Sequence, residues 1–254
     1  LPSGAEALGP RSLQGKRFHF PSTWLGNMER TWRWKNAPAP PGGAYCPTQL
    51  EQIANCVTHV PLVPLSIFGL IRLYGKASTW SQWIAAIVYG TAVCCLFIAS
   101  SAFHLCSLLA HGSRLRSVLH LCDRVVIYLF IAASYTPWFS LREFHQSWGL
   151  FALWFIWITA IFGITFQCIF HERCKWLESV IYLAVGVWPS FVVIHMQEWS
   201  GLDLVLLGGL TYVTGVVFFK LDGHVPMAHA IWHCFVMVGA LLHYCAIDSF
   251  LIVG

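Results

Sequence analysis

Seven runs of apolar residues, separated by short polar stretches, occupy most of the chain after residue 57. They lie at 57–74, 83–108, 118–140, 148–170, 177–196, 203–219 and 228–250. A helix needs about 20 residues to cross roughly 30 Å of bilayer hydrocarbon, and each run approaches that length. Because the apolar residues do not alternate with polar ones, a transmembrane barrel is excluded. The pattern predicts an all-α, polytopic membrane protein with a bundle of seven transmembrane helices within residues 46–254.

The part of the chain before these runs has no long apolar stretch and differs from them in composition. Residues 1–45 are rich in proline, glycine and basic residues, which predicts a disordered cytoplasmic tail. Six of the 15 Lys and Arg residues precede residue 36: Arg11, Lys16, Arg17, Arg30, Arg33 and Lys35. The composition agrees with a membrane protein, since 57% of residues are hydrophobic and 10% charged, against about 25% charged in soluble domains.

The distribution of basic residues predicts the orientation, because short cytoplasmic loops carry an excess of Lys and Arg. With the N-terminus in the cytoplasm, the loops on that side hold Arg114, Arg116, Arg173, Lys175 and Lys220. The other side then holds only Lys76 and Arg142, with Arg72 near the end of the first helix. We therefore predict a cytoplasmic N-terminus and a C-terminus outside or in a lumen. The basic, tryptophan-containing stretch 30–35 fits an anionic lipid surface better than nucleic acid, and no nucleic-acid partner is expected.

Three ionisable residues inside the runs share one predicted depth. His104 lies seven residues before the loop that begins at His111, and His229 lies seven residues after Asp222. Asp123 likewise lies seven residues after Arg116. Seven residues of helix measure about 10 Å. Because ionisable groups inside a membrane are costly, such a cluster is a candidate functional site.

Spacing along the helices adds a second signal. His229 and His233 are four residues apart, on one face of a helix, and Ser100 and His104 have the same spacing. Three imidazoles, His104, His229 and His233, match the ligand number of a catalytic zinc site with one open position. Asp123 would then orient water or act as a general base. The alternative is that these histidines are hydrogen-bonded packing residues. The sequence lacks the internal Glu of HExxH, so the zinc-protease motif is excluded.

Other histidines and one polar stripe leave further alternatives open. His59, His120, His195 and His243 lie in or near the runs, and none of them has a histidine partner four residues away. For His243 we expect packing or a bond to a backbone carbonyl. Glu51, Asn55 and His59 recur every fourth residue before the first run. This stripe is either the amphipathic start of a helix or a support for the predicted site.

The polar residues together form a pattern that resembles the progestin and adipoQ receptor family and its hemolysin III relatives. The pattern comprises Pro47, Glu51, Asn55, His59, Ser100, His104, Asp123, His229 and His233. Stretches 123–128, 131–135, 218–220 and 228–233 are similar to the branch of monocyte to macrophage differentiation factors. The resemblance covers about residues 44–250. It implies a seven-span bundle, a zinc ion held by His104, His229 and His233, and polar roles for Asp123 and Ser100.

The resemblance also implies alternatives for function. One is a receptor or signalling regulator in a Golgi or other endomembrane rather than the plasma membrane, with membrane lipids and signalling proteins as partners. The second is a zinc-dependent, intramembrane lipid amide hydrolase of the ceramidase kind, with Asp123 as base and Ser100 as a hydrogen-bond partner of the transition state. A third alternative, which rests on the intramembrane charges themselves, is a proton or ion pathway.

Overall fold

A computed structural model describes residues 33–40, 43, 45–109, 114–170 and 173–253. The helices α1 to α8 are Gln49–His59, Leu62–Lys76, Trp80–Leu109, Arg114–Leu141, Trp148–Phe170, Lys175–Val187, Leu202–Phe219 and Ala228–Phe250. Two 3₁₀ turns, Trp188–Phe191 and Val193–His195, follow α6. The part of the chain that the structure describes contains no β-strand. The predicted tail, residues 1–45, lies mostly outside the described residues.

Within the described residues, seven helical segments are long and apolar enough to cross a bilayer. The first comprises α1 and α2, and the fifth comprises most of α6 with its 3₁₀ turns. The predicted seven-helix bundle is therefore confirmed, and the chain is an integral membrane protein. We call the face where α1 begins the N-terminal face, and seven crossings place the end of α8 at the opposite face.

The first span starts earlier than predicted and is divided into two helices. It begins at Gln49 and not near residue 57, because the polar residues of α1 face the bundle interior. Thr48 and Glu51 form a capping box, in which each side chain accepts a hydrogen bond from the other residue's backbone N–H. The helix is interrupted between His59 and Leu62, since Pro61 has no N–H to donate. The fifth span also changes its helix type near a proline. Helix α6 ends at Val187, and 3₁₀ turns follow around Pro189.

Two apolar clusters hold the bundle together, and α4 contributes to both. The first joins α2, α3, α4 and α8 and includes the buried residues Leu73, Phe97 and Ile247. The second joins α4, α5 and α6 around Tyr128. Gly163 of α5 lies directly against Tyr128, and a Cβ atom at residue 163 would come within 2.3 Å of its ring. The glycine is therefore required for the close approach of α4 and α5.

Near the N-terminal face, α4 is tied to α6 by polar contacts. Arg124 Nη1 lies 2.9 Å from Glu178 Oε1, and both side chains are largely buried. The Tyr182 hydroxyl donates to the carbonyl oxygen of Arg124. Breaking one member of a buried ion pair is strongly destabilising. These contacts hold the segment of α4 that carries Asp123 in place.

Candidate metal centre

Three histidines from two helices meet near the N-terminal face. His104 comes from the last turns of α3, and His229 and His233 lie one turn apart at the start of α8. One ring nitrogen of each lies within 4.8 Å of the corresponding atoms of the other two. The three ring centroids are 4.7 to 5.3 Å apart. The structure thus brings together the residues that depth and spacing predicted as metal ligands, and the ligand role itself stays a prediction.

Helix α1 holds His104 through its Nδ1 atom. This nitrogen donates to Gln52 Oε1 at 2.9 Å, and the side-chain nitrogen of Asn55 lies 3.4 Å from it. With the proton on Nδ1, the lone pair is on Nε2. The Nε2 atom is buried and has no hydrogen-bond partner among the described residues. Because an unpaired buried nitrogen is destabilising, a metal ion at this position fits the arrangement.

The other two imidazoles are held in the same way. His233 Nδ1 lies 3.0 Å from Thr58 Oγ1, and His229 Nδ1 lies 3.3 Å from Asp222 Oδ2. The Thr58 hydroxyl donates a hydrogen bond to the carbonyl oxygen of Ala54 or Asn55, so its oxygen accepts a hydrogen bond from His233 Nδ1. Such outer partners fix the tautomer and orientation of metal-binding histidines. Three imidazoles oriented in this way suit zinc with one open coordination position.

Asp123 and Ser100 lie beside the histidines, as the sequence predicted. The Asp123 carboxylate interacts electrostatically with Ser100 and with His229. Ser100 Oγ lies 2.7 Å from His59 Nδ1, within hydrogen-bond distance. No atom of Asp123 belongs to the group of metal-binding candidates among the described residues. Asp123 is thus not a metal-ligand candidate, and its catalytic role stays a prediction.

The polar stripe along α1 faces the site and not the lipid. Glu51, Asn55 and His59 are all buried. Glu51 accepts from the Tyr45 hydroxyl at 2.9 Å, and Asn55 and His59 contact the site through His104 and Ser100. Of the two interpretations left open, the structure favours support of the site over a simple amphipathic helix start.

Sequence reasoning missed two residues that hold the histidines. Gln52 and Thr58 were not singled out, although both lie on α1 within the same stretch as the stripe. Uncharged polar residues are common at helix ends. A glutamine or a threonine there does not indicate a bond to a histidine until the positions of the neighbouring helices are known. The signal that could have found them is spacing, because Gln52 and Thr58 each lie three residues from Asn55 and so share its side of the helix.

The remaining histidines have separate environments. His120 stacks on Phe103, with ring centroids 4.7 Å apart, and lies outside the group of three. His195 stacks on Trp148 near the opposite face. His243 Nε2 donates to the carbonyl of Val205 at 3.2 Å, which confirms the expected backbone bond.

A cavity of about 240 Å³ lies between the histidines and the N-terminal face. His104 and His229 form part of its inner wall, and Arg116, His120 and Arg124 of α4 form one side. These three residues of α4 recur every fourth position, so they share one face of the helix. The cavity gives a polar molecule a place next to the open side of the three-histidine group.

The outer wall of this cavity includes Pro38, Ala39, Tyr45 and Pro47. Lys35 Nζ donates to the carbonyl of Gly223 at 2.9 Å, and a Cβ atom at residue 223 would come within 2.6 Å of Pro38 Cα. The backbone N–H of Asn36 donates to the Tyr45 hydroxyl at 3.0 Å. Burial raises the pKa of Tyr45, and the neighbouring Glu51 carboxylate raises it further. Tyr45 therefore remains a protonated donor and ties this segment to α1.

The amino-acid sequence was compared with known proteins. The family model described as haemolysin-III related matches residues 48–244 of this chain. The monocyte to macrophage differentiation factor of Homo sapiens is 44% identical over 222 residues, which cover 86% of this chain and 92% of that protein. A hemolysin-3 homolog of Bacillus subtilis is 31% identical over 214 residues, 79% of this chain and 97% of the bacterial one. The hemolysin-3 of Bacillus cereus is 35% identical over 205 residues, 78% and 90% of the two chains.

Proposed function

The chain belongs to the haemolysin-III-related family, and on that premise we propose that it is a zinc-dependent membrane hydrolase that cleaves an amide or ester bond of a lipid. The observation that carries the proposal is the open side of the three-histidine group. No fourth His, Cys, Asp or Glu ligand atom from the described residues joins it, and His104 and His229 line the cavity. A purely structural zinc site is usually closed by four protein ligands.

The histidines would hold the metal, and neighbouring residues would fix their geometry. His104, His229 and His233 would bind through Nε2, because Nδ1 of each has an outer partner. When bound, zinc would act as a Lewis acid and make hydroxide available from water near neutral pH. The contacts from α1 would keep the His104 and His233 rings oriented before the metal arrives.

Asp123 would move the proton in this reaction. Its carboxylate would accept a proton from the attacking water and later pass it to the leaving nitrogen or oxygen of the substrate. The Ser100 hydroxyl, which interacts with this carboxylate, would hold it in position. Water adds across the cleaved bond, and the products are a carboxylic acid and an amine or alcohol.

A membrane lipid is the substrate class that suits the position of the site. His229 is the second residue of α8, and His104 lies five residues from the end of α3. Five residues of helix measure about 8 Å, so the site lies near the boundary between headgroups and hydrocarbon. Amide and ester groups of lipids lie at this boundary. The cavity would accommodate the polar part of such a lipid at the N-terminal face.

A receptor or signalling role is a second proposal, and the similarity to a protein named as a differentiation factor favours it. In that case zinc would join α3 to α8 and no lipid would be consumed. Signalling partners and a Golgi or other endomembrane location remain predictions.

Metal analysis and a lipid-hydrolysis screen on one preparation would test the first proposal. The wild-type protein, loaded with zinc in nanodiscs, is expected to release fatty acid from one class of long-chain N-acyl or ester lipid. His233→Ala should lose both zinc and activity, whereas His195→Ala is the matched control and should retain both. Stoichiometric zinc without turnover of any lipid class would contradict the hydrolase and favour the signalling role.

A further inference from the structure

A second cavity lies in the half of the membrane away from the histidines. It is an apolar groove of about 430 Å³ between α2, α3 and α8. Its inner end lies at Leu62 and Phe97, and its outer end lies at Arg72 and Tyr244. Leu62 and Arg72 are ten residues apart on α2, so the groove extends for about 15 Å along the helix.

The groove opens sideways towards lipid. Tyr89 is fully buried in its wall and donates its hydroxyl to the carbonyl of Ala240, which joins α3 to α8. Leu65, Phe68 and Leu241 line the groove and are more than half exposed. Water in an apolar groove would lack hydrogen-bond partners. Because the surrounding medium is bilayer hydrocarbon, an acyl chain is the matching occupant.

The charges at the outer end indicate which lipid supplies that chain. Arg72 Nη2 lies 3.0 Å from Asp248 Oδ2, and Lys76 Nζ lies 3.5 Å from Asp248 Oδ1. Two cations thus share one carboxylate, and about half of the Arg72 side chain is exposed. The net positive charge at the membrane boundary complements the phosphate of a lipid headgroup.

We propose that this groove is a binding site for an anionic phospholipid of the leaflet at the opposite face, with one acyl chain between α2, α3 and α8 and the phosphate beside Arg72. The lipid is not the proposed substrate, since its ester groups lie near Arg72, about 15 Å along α2 from the inner end. The inner end nevertheless approaches the metal centre. Phe97 packs edge-on against His59 with ring centroids 5.3 Å apart, and His59 contacts His233.

Photocrosslinking in nanodiscs tests the site with two phosphatidylglycerol probes. One carries a photoreactive group at the end of an acyl chain, and its label is expected on peptides containing Leu62 or Phe97. The other carries the group near the headgroup, and its label is expected near Arg72. Label from either probe concentrated around His229 and His233 would overturn the proposal, because the lipid would then occupy the substrate cavity.

Two variants test the contacts that define the groove. Leu241→Trp should reduce labelling by the acyl probe, whereas Leu210→Trp, an equally lipid-facing change on α7, should not. Arg72→Gln should remove the preference for phosphatidylglycerol over phosphatidylcholine, which we expect to be about fivefold. The midpoint of thermal unfolding serves as the folding control for each variant. Equal labelling of the two tryptophan variants would contradict the proposal. So would a wild-type protein that shows no preference for phosphatidylglycerol over phosphatidylcholine.

Discussion

The imidazole of His59 stacks on the imidazole of His233, with ring centroids 3.7 Å apart and ring planes inclined by 16°. His59 also bonds to Ser100, and Thr58 bonds to His233. The end of α1 therefore contacts both helices that carry the proposed ligands. Pro61 divides the first span directly after this point, so α1 ends at the site.

The stack leads to the first prediction. His59→Ala removes the ring that supports His233 and should weaken zinc binding by about 10- to 100-fold, as loss of an outer-shell partner typically does. His59→Phe keeps a ring but loses the bond to Ser100, so it should bind zinc more tightly than the alanine variant. Competition with a chelator measures both affinities. An unchanged zinc affinity in His59→Ala would show that the stack is incidental.

The second prediction concerns metal content. Purified wild-type protein should contain close to one zinc per chain, because the three imidazoles can supply all of the protein ligands. The double variant His229→Ala, His233→Ala should contain none, and His243→Gln, which changes a histidine bonded to a backbone carbonyl, should match the wild type. Elemental analysis provides the measurement. Full zinc occupancy in the double variant would refute the assignment of the ligands.

The third prediction separates a base from a packing residue. Asp123→Asn keeps the shape and one acceptor oxygen but removes the negative charge. If Asp123 is the base, zinc content and thermal stability should stay near the wild-type values, while lipid hydrolysis falls by about 10²- to 10⁴-fold. Loss of stability together with no hydrolysis by the wild type would instead identify the aspartate as a partner that holds α4 against α3 and α8.

The fourth prediction concerns orientation. A tag at the N-terminus should be cytoplasmic and a tag at the C-terminus lumenal or extracellular, because basic residues concentrate in the loops of the N-terminal face. Protease protection of both tags in sealed vesicles provides the measurement. Tags on the same side would be incompatible with seven crossings.

The fifth prediction concerns packing between α4 and α5. Gly163→Ala introduces a Cβ atom 2.3 Å from the Tyr128 ring, and overpacking of this kind costs about 1–3 kcal/mol. Gly209→Ala is the matched control, because a Cβ atom at residue 209 meets nothing within 4 Å. Thermal unfolding in detergent should show a lower midpoint for the first variant only. Equal midpoints would mean that α4 and α5 can separate without loss of stability.

The hydrophobic pattern alone predicts the seven spans, because lipid requires each crossing to be a continuous apolar helix. It fails at the first span, where the face of α1 that packs against the bundle is polar. Hydropathy treats Glu51, Gln52 and Asn55 as residues outside the membrane, although all three are buried against the bundle. The pattern also predicts one continuous helix through Pro189, because an apolar run gives no sign that the backbone changes from α to 3₁₀ geometry there.

The sequence predicts those features of the candidate site that depend on positions along a single helix. The pair His229 and His233 follows from a four-residue spacing, and the common depth of His104 follows from its distance to a loop. The bonds from Gln52 and Thr58 could not be predicted, because they depend on how α1 packs against α3 and α8. That packing depends on the interruption at Pro61 and on the polar face of α1, which become informative only when the helices are placed together.

The contact between Gly163 and Tyr128 has a consequence for how these sequences can diverge. Because the ring occupies the space that a side chain at residue 163 would need, the two positions cannot enlarge independently. A relative with alanine or serine at the position of Gly163 is expected to carry a smaller residue than tyrosine at the position of Tyr128. The two alignment columns should therefore covary in size, as expected for residues in direct contact.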